Sequence, residues 1–269
     1  MIDERNIAFG SVIPSEGYCD QPYVVKLPDG NWLCVMTTGQ GHEGQQGQHI
    51  VSCRSADFGI TWSCLTDVEP ANGPEASWAM PFVTPGGRVY VFYTYNASNL
   101  REVRSGDVDG HAVRRIDTLG EYAFKYSDDG GRTWTTRFMR FSPGGPLVCN
   151  PRGPNFVRKL SEGRHAGRFI YWFYNNSACG KPGEPHRGYD SGSRNPAWLL
   201  GGVERDSTEG KVIYWGRPEV VLYDVNLSAA IGYPDFVEVG DRFFITETQK
   251  SVARVHEVPQ WLLDRLWET

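Results

Sequence analysis

The sequence lacks three features that would assign it to common classes of protein. No apolar run reaches the roughly 18 residues that a membrane-spanning helix needs, which excludes such a helix from the 269 residues. The 27 basic residues are dispersed among 32 acidic ones, giving a net charge of −5. A nucleic-acid-binding surface would need clustered Lys and Arg, so we expect no nucleic-acid partner. The 6 cysteines show no C-x-x-C spacing, so we expect no zinc site and no cofactor.

The sequence also has little helical periodicity and no signal-peptide pattern in its opening residues. Only residues 258–268 repeat their apolar side chains at helical spacing, so they are the one predicted helix. The opening residues do not form a signal peptide. We expect a secreted or periplasmic protein whose signal has been removed. Cys34, Cys53 and Cys64 lie in strand-like runs and are predicted to be buried.

The sequence is instead rich in residues of short strands and tight turns, with 31 Gly, 17 Pro and 13% aromatic residues. A motif, S-x-D-x-G-x-T-W, occurs at residues 55–62 and again at residues 127–134. Its aspartate can accept bonds from backbone N–H groups and its glycine supplies an unusual φ. Its tryptophan can pack beneath the turn. The motif therefore indicates a repeated hairpin of the scaffold and not a catalytic site.

A longer repeat surrounds this motif. Four segments each combine a polar or proline-containing lead, an apolar strand, a turn and a second apolar strand; they start near Asp20, Ser77, Arg152 and Tyr233. Their turns are predicted at residues 28–30, 85–87, 161–163 and 239–241. A further hairpin is predicted at residues 203–214. The pattern predicts an all-β fold, a β-propeller of four-stranded antiparallel blades. Four blades are visible with the last incomplete, a set that could belong to a five- or six-bladed propeller. No linker divides residues 1–269, so we expect one domain.

The motif and the first blade resemble those of the sialidase (neuraminidase) superfamily, the Asp-box or BNR-repeat propellers. The resemblance implies an exo-acting glycoside hydrolase. In sialidases an Arg-Ile-Pro triplet opens the first inner strand, and its arginine binds the sialic acid carboxylate. Here the matching triplet is Asp20-Gln21-Pro22. A carboxylate repels another carboxylate, so we expect a glycosidic bond other than that of a typical sialoside.

The resemblance also places the general acid in residues 39–49, which contain no apolar residue. His42, Glu43 and His49 are the titratable groups of this loop and are the candidate proton donors. The two histidines with Glu43 could instead ligate a metal, although we favour no metal site. A solvated loop with incidental histidines is the remaining alternative. Gln48 is a candidate sugar-binding residue.

In a propeller the inner strands begin around a central channel, so side chains at their starts converge. Glycoside hydrolysis requires two carboxyl groups. The candidates for these are Asp20, Glu43, Glu75 and Asp235. Aromatic and amide side chains suit sugars, because sugar faces stack and hydroxyls bond to amides. The candidates for substrate binding are Gln21, Gln48, Trp78, Tyr95, Arg152, Asn155, Tyr174, Asn175, Tyr233 and Glu247.

Three functions remain open. The first is a hydrolase acting on an oligosaccharide or polysaccharide, with Glu43 or His49 as acid and Asp20, Glu75 or Asp235 as base or nucleophile. The second is a propeller-type polysaccharide lyase, with His42 or His49 as base, a tyrosine as acid and Arg152 neutralising a uronate. The third is a carbohydrate-binding propeller without catalysis, since a fold alone does not decide function.

Overall fold

A computed structural model describes residues 3–104, 112–113, 120–140, 156–173, 194–208, 210–226 and 229–268. These residues form several antiparallel sheets and one α-helix, which confirms the predicted all-β class. The chain divides into two compact units: the N-terminal unit (Val12–Arg152 and Lys250–Ala253) and the C-terminal unit (Met1–Ser11, Gly153–Gln249 and Arg254–Thr269). The single propeller domain stays a prediction. In the described part of the chain, no helix combines the length and apolar content needed to cross a membrane.

The first sheet of the N-terminal unit follows a short strand, β1 (Ser11–Ile13). It consists of β2 (Tyr18–Lys26), β3 (Trp32–Gly39), β4 (Gln48–Ser55) and β5 (Thr66–Asp67), hydrogen-bonded in that order. The predicted turn at Pro28-Asp29-Gly30 joins β2 to β3, with Gly30 at φ 82°. Every residue of β3 is buried, which explains why this strand reads as a continuous apolar run and not as an alternating one.

The second sheet of this unit lies against the first. Its strands are β6 (Ala76–Val83) and β7 (Val89–Tyr95), then, after a two-stranded ribbon of β8 (Val103–Arg104) and β9 (Ala112–Val113), β10 (Glu121–Ser127) and β11 (Phe138–Arg140). The sheet order is β11-β10-β7-β6. Leu33, Val35 and Ile50 of the first sheet pack with Val89 and Val91 of the second in one apolar core.

The two S-x-D-x-G-x-T-W segments form matching turns, as the motif predicts. In each, the serine hydroxyl and the threonine N–H and hydroxyl donate to the aspartate carboxylate at 2.6 to 2.9 Å. Gly59 and Gly131 have φ of 83° and 84°, values that L-residues rarely adopt. Trp134 packs against the core of the unit and donates to Ser52 Oγ at 3.2 Å. The motif therefore stabilises the scaffold.

We expect Asp129→Ala to lower the free energy of unfolding by about 1–2 kcal/mol, because it removes several charge-assisted turn hydrogen bonds. Partial burial, the largest single influence, raises the pKa of Asp129, but hydrogen bonds from Thr133 and Ser127 outweigh it and lower the pKa to about 2. The stabilisation is therefore complete above about pH 4, the unfolded value, and disappears as the pH falls toward the folded pKa.

Urea unfolding of the wild type and Asp129→Ala at pH 7 and pH 3 measures this effect. The neighbouring Asp128, which is exposed and pairs with an exposed Arg88, supplies the control. Asp128→Ala should change stability by about 0.5 kcal/mol or less. Equal losses for the two variants at pH 7 would refute the role of the Asp129 turn.

The C-terminal unit contains the third sheet. Its strands are β12 (Phe156–Lys159), β13 (Phe169–Phe173), β14 (Ala197–Ser207) and β15 (Gly210–Trp215), in that order, while β16 (Glu219–Leu222) pairs with β14. Val203 and Tyr214 are register partners in β14 and β15, so the hairpin predicted at residues 203–214 is present. The predicted tight turn at residues 161–163 is longer, because a 3-10 turn (Gly163–His165) separates β12 from β13.

The fourth sheet has four strands, so the expectation of an incomplete last blade is wrong. Its strands are β17 (Gly232–Val239), β18 (Arg242–Thr248) and β19 (Ala253–Glu257), and β1 is the fourth, in the order β1-β19-β18-β17. The missing strand comes from the opposite end of the chain, which no local repeat could indicate. The predicted helix is α1 (Gln260–Arg265), shorter than residues 258–268 because Pro259 occupies its N-cap.

The cysteine prediction is partly wrong. Cys34 and Cys53 are buried as expected, and Cys19 is buried too, all as free thiols. Cys64 is exposed, because it lies in the segment between β4 and β5 and not inside a strand. Cys149 and Cys179 lie outside the described residues.

Candidate functional site

Three inner strands share a break in register near their first residues. β2 shifts between Asp20 and Tyr23, β6 between Ser77 and Met80, and β17 between Gly232 and Asp235. At each break a buried, non-glycine residue has a positive φ: Gln21 at 54°, Trp78 at 63° and Tyr233 at 51°. Such a conformation costs about 1–2 kcal/mol, and bulges of this kind are common beside active sites. The three strands therefore share one local distortion near their first residues.

These breaks also show which predicted site residues occupy equivalent positions in β2, β6 and β17. Gln21, Trp78 and Tyr233 occupy the same position relative to these breaks, an equivalence that the repeat in the sequence does not show. Asp20 directly precedes this position, whereas Asp235 follows it by two residues. Asp20 and Asp235 are consequently not equivalent, although both begin an inner strand.

One edge of the N-terminal unit, the entry edge, contains the first residues of β2, β4 and β6 and the last residues of β3 and β7. Gly39 pairs with both Tyr18 and Gln48, and Tyr95 pairs with Ala76. The Trp78 N–H donates to Thr37 Oγ1 at 2.8 Å and so connects the two sheets near this edge. The predicted residues at strand starts and ends thus lie along one edge of this unit.

The first cluster on the entry edge, the Lys250 cluster, consists of Tyr18, Asp20, Glu43 and Lys250. The Lys250 ammonium lies 2.9 Å from Asp20 Oδ2 and 3.2 Å from Glu43 Oε2. The Tyr18 hydroxyl donates to Asp20 Oδ2 at 3.0 Å, and the Gln21 N–H donates to Oδ1 at 3.0 Å. Asp20 is completely buried. This burial raises the pKa of Asp20, and the Glu43 charge adds to the rise, while Lys250 opposes it.

The second feature of the entry edge is a pocket of about 360 Å³ beside Glu75. Three loops form it, and its lining comprises Gln46, Gly47, Ala71, Asn72, Gly73, Pro74, Glu75, Asn99 and Arg101. Glu75 is buried and accepts a hydrogen bond from Arg101 Nη1 at 2.8 Å. The Asn96 side chain holds the third loop, because it bonds both the N–H and the carbonyl of Leu100 at 2.9 Å. A buried carboxylate and an exposed guanidinium therefore meet in an open polar pocket.

The two predicted histidines differ in access. His42 is exposed on the loop. His49 is only 1% exposed, and its Nε2 lies 3.5 Å from Glu16 Oε2 and 3.6 Å from Asp67 Oδ1. Neither ring nitrogen of His49 has a hydrogen-bond partner among the described residues. The described residues form no metal-binding group of three or more His, Cys, Asp or Glu side chains.

The predicted sugar-binding residues of this unit are mostly buried. The Gln48 side chain donates to the His42 carbonyl at 2.7 Å and so closes the loop of residues 40–47, the polar loop. The Tyr95 ring packs under the Arg137 guanidinium at 3.5 Å. Trp78 and Gln21 are buried, and Gln21 Oε1 has no hydrogen-bond partner in the described part of the chain. These side chains can support the site, but their burial limits direct contact with a ligand.

The C-terminal unit places its predicted residues in two ion-paired groups. Asp235 Oδ1 accepts from Arg158 Nη2 and from the Phe236 N–H, both at 2.8 Å. Glu247 is completely buried and lies 3.1 Å from Arg254 Nη1 and 3.3 Å from His256 Nε2. The buried ring of Tyr233 has the Arg194 guanidinium 5.4 Å from its centroid. Four predicted residues lie outside the described part of the chain, namely Arg152, Asn155, Tyr174 and Asn175.

Sequence reasoning did not select the cations that face these carboxylates: Lys250 for Asp20 and Glu43, Arg101 for Glu75, Arg158 for Asp235 and Arg254 for Glu247. One general signal was available, since a carboxylate buried near a strand start requires a cation. Nothing in the sequence shows which cation, because Lys250 and Asp20 are at opposite ends of the chain.

Comparison with known proteins supports a sialidase-like fold. No family model matches the chain, and no curated protein matches its sequence. Among solved structures, it is similar to the intramolecular trans-sialidase from Ruminococcus gnavus, solved in complex with oseltamivir carboxylate, at 11% identity and a TM-score of 0.56, with 100% of both chains covered. A protein of unknown function from Dyadobacter fermentans matches at 11% identity and a TM-score of 0.46, covering 93% of this chain and 97% of that one. At such identities the likeness is one of fold.

Proposed function

We propose that the protein is a carbohydrate-active hydrolase built on a sialidase-like β-propeller and that it cleaves a glycosidic bond other than that of a typical sialoside. The observation that supports this proposal most is the open polar pocket on the entry edge, with the buried carboxylate of Glu75 in its lining. The polar loop of residues 40–47 links this pocket to the Lys250 cluster, because it supplies both Glu43 and the pocket residue Gln46.

The charge of the entry edge favours a neutral, hydroxyl-rich sugar. The Lys250 ammonium is shared by two carboxylates, Asp20 and Glu43, so this cluster retains a negative charge when both are ionised. Arg101 is paired with Glu75 and is balanced by it. A ligand carboxylate would meet net repulsion here, whereas sugar hydroxyls can bond to carboxylates and amides.

The contacts of the three carboxyl groups suggest their roles. Glu75 lies in the lining of the pocket and is oriented by the Arg101 guanidinium at 2.8 Å, which suits a base or nucleophile. Asp20 and Glu43 share one ammonium, and burial favours the protonated form of Asp20. We therefore assign the proton donor to this coupled pair and the base or nucleophile to Glu75. His49 is less suited to either role because it is buried.

A screen of the full-length protein against a broad oligosaccharide panel, with products identified by mass, tests this function. On the substrate found, Glu75→Gln and Glu43→Gln should each lower kcat by about 100-fold or more, the usual contribution of a proton-transfer group. The matched control is Glu204→Gln, which removes a partly exposed carboxylate paired with an exposed lysine. Unchanged kcat in both site variants would overturn the assignment. Sugar binding without product would indicate a binding propeller instead.

A lyase is the second candidate, and the exposed histidine His42 on the polar loop favours it. In that reaction His42 would remove the proton beside a uronate carboxylate. The same panel separates the two reactions, because a lyase product contains a new double bond that absorbs in the ultraviolet. Loss of this absorbance in His42→Ala, with kcat retained in Glu75→Gln, would establish the lyase.

A further inference from the structure

Lys250 has an unusual backbone for a lysine. Its φ is 71°, a left-handed value that residues with a Cβ rarely adopt. Its carbonyl accepts a hydrogen bond from the Cys19 N–H at 2.9 Å. The segment Lys250–Ala253 belongs to the N-terminal unit, although its neighbours in sequence belong to the other unit. Strain of this kind persists where surrounding contacts impose it. The Lys250 side chain makes such contacts.

The Lys250 side chain connects a rigid strand to a loop. Asp20, at 2.9 Å, lies in β2 and is completely buried. Glu43, at 3.2 Å, lies in the polar loop, and its side chain is 27% exposed. The Tyr18 ring centroid is 5.8 Å from the ammonium on the side of β2. The ammonium thus contacts both β2 and the loop.

The polar loop has few other attachments to the unit. Its glycines at positions 41, 44 and 47 all have positive φ, so the loop is built from tight turns with few side-chain contacts. His42 and Gln45 bond to each other, through the His42 N–H and the Gln45 Oε1 at 2.9 Å. The Gln40 side chain bonds the Glu16 carbonyl at the start of the loop. The middle of the loop is held by the bond from the Gln48 side chain to the His42 carbonyl at 2.7 Å and by the contact of Glu43 with Lys250.

We propose that Lys250 is a positioning residue whose ammonium clamps Glu43 and thereby holds the polar loop as one wall of the Glu75 pocket. The loop residues Gln46 and Gly47 line that pocket, so the position of the loop determines the shape of the pocket. The same ammonium compensates the buried charge of Asp20. The effect on sugar turnover rests on the proposed function, whereas the effect on the loop does not.

Amide hydrogen exchange of the full-length protein tests the clamp without requiring a substrate. Lys250→Met keeps the length of the side chain and removes its charge, and it should speed exchange at residues 41–47 by about 10-fold relative to the wild type. Lys250→Arg should retain protection. The matched control is Lys211→Met, which removes an exposed lysine that also contacts two carboxylates, Glu204 and Asp206; it should leave the loop unchanged.

Chemical rescue separates the clamp from a general loss of structure. In Lys250→Ala, added n-propylammonium should restore protection of residues 41–47, and n-propanol should not. Exchange in β7 and β10, which belong to the same unit as the loop, reports whether each variant is folded. If Lys250→Met is destabilised, Glu43→Gln provides the second variant, because it should loosen the same residues with Lys250 intact.

Unchanged exchange of the loop in folded Lys250→Met or in Glu43→Gln would overturn the proposal, as would equal rescue by n-propanol. Loosening of the loop with no turnover of any sugar by the wild type would support the clamp while removing the proposed hydrolase. Where turnover exists, Lys250→Met should raise KM more than it lowers kcat, since a displaced wall weakens binding first.

Discussion

Replacing Glu69 by alanine is expected to lower the free energy of unfolding by about 3 kcal/mol, because it leaves two half-buried cations, Arg137 and Lys125, without their counter-charge. Glu69 is completely buried. Arg137 donates to both of its oxygens at 2.6 Å, and the Lys125 ammonium lies 3.5 Å away. The Tyr93 hydroxyl donates to the same carboxylate. Neither the strand pattern nor the turn motif predicts this cluster.

The Glu69 contribution should also depend on pH. Burial, the largest single influence, raises the pKa of Glu69, but hydrogen bonds from Arg137 and Tyr93 outweigh it and the net pKa is lowered. A carboxylate with a lowered folded pKa stabilises fully above its unfolded value and loses this contribution as the pH falls through the folded value. The difference between wild type and Glu69→Ala should therefore be full at pH 7 and shrink below about pH 4.

Urea unfolding followed by tryptophan fluorescence measures both effects. Glu204→Ala, at a partly exposed ion pair with Lys211, should cost less than about 1 kcal/mol. A loss in Glu69→Ala no larger than in this control would contradict the buried-charge argument. A difference that stays constant down to pH 3 would contradict the pH argument alone.

Gly131→Ala should destabilise the protein by about 1–3 kcal/mol more than Gly30→Ala, the range expected for overpacking a core. The two glycines have nearly the same φ, 84° and 82°, so both variants incur the same left-handed strain. A Cβ on Gly131 would lie 2.5 Å from Leu33 Cδ1, whereas a Cβ on Gly30 meets nothing within 4 Å. Leu33 is completely buried in the core of the unit, so its side chain can shift only by displacing packed neighbours.

The comparison of these two variants isolates packing from backbone conformation. Thermal or urea unfolding of both, with the wild type, gives the difference directly. Equal destabilisation by Gly131→Ala and Gly30→Ala would mean that the contact between the turn at residues 127–134 and Leu33 does not contribute to stability. Partial recovery of stability in Gly131→Ala by a second change, Leu33→Val, would support the steric argument, because the smaller side chain makes room.

Much of the fold could be predicted because its signals are local. The turn at Gly30, the hairpin pairing Val203 with Tyr214 and the two S-x-D-x-G-x-T-W turns each involve residues a few positions apart. Turn chemistry and alternation within such short segments follow from their own residues. The fourth sheet was predicted as incomplete because its outer strand, β1, comes from the other end of the chain.

The carboxylates of the candidate site could be predicted from the sequence, but their cationic partners could not, and the difference has a physical cause. Carboxylates near strand starts, Asp20, Glu75 and Asp235, can be recognised from a repeat that counts positions along the chain. Their cationic partners are selected by distance in space, so Lys250 and Arg101 enter the site without any sequence pattern. The access of His49 is likewise a property of its neighbours, Glu16 and Asp67.

The sequence by itself determined the all-β class, the repeated turns and the presence of an aspartate, Asp20, near the start of β2, because these depend on residue type and local spacing. Only the tertiary structure decided which carboxylates are buried, which cation each one meets and which loop walls the pocket. These properties depend on desolvation and Coulomb interaction between residues distant in sequence. For Asp20 the result is a carboxyl group held between burial, which favours its neutral form, and Lys250, which favours its charged form.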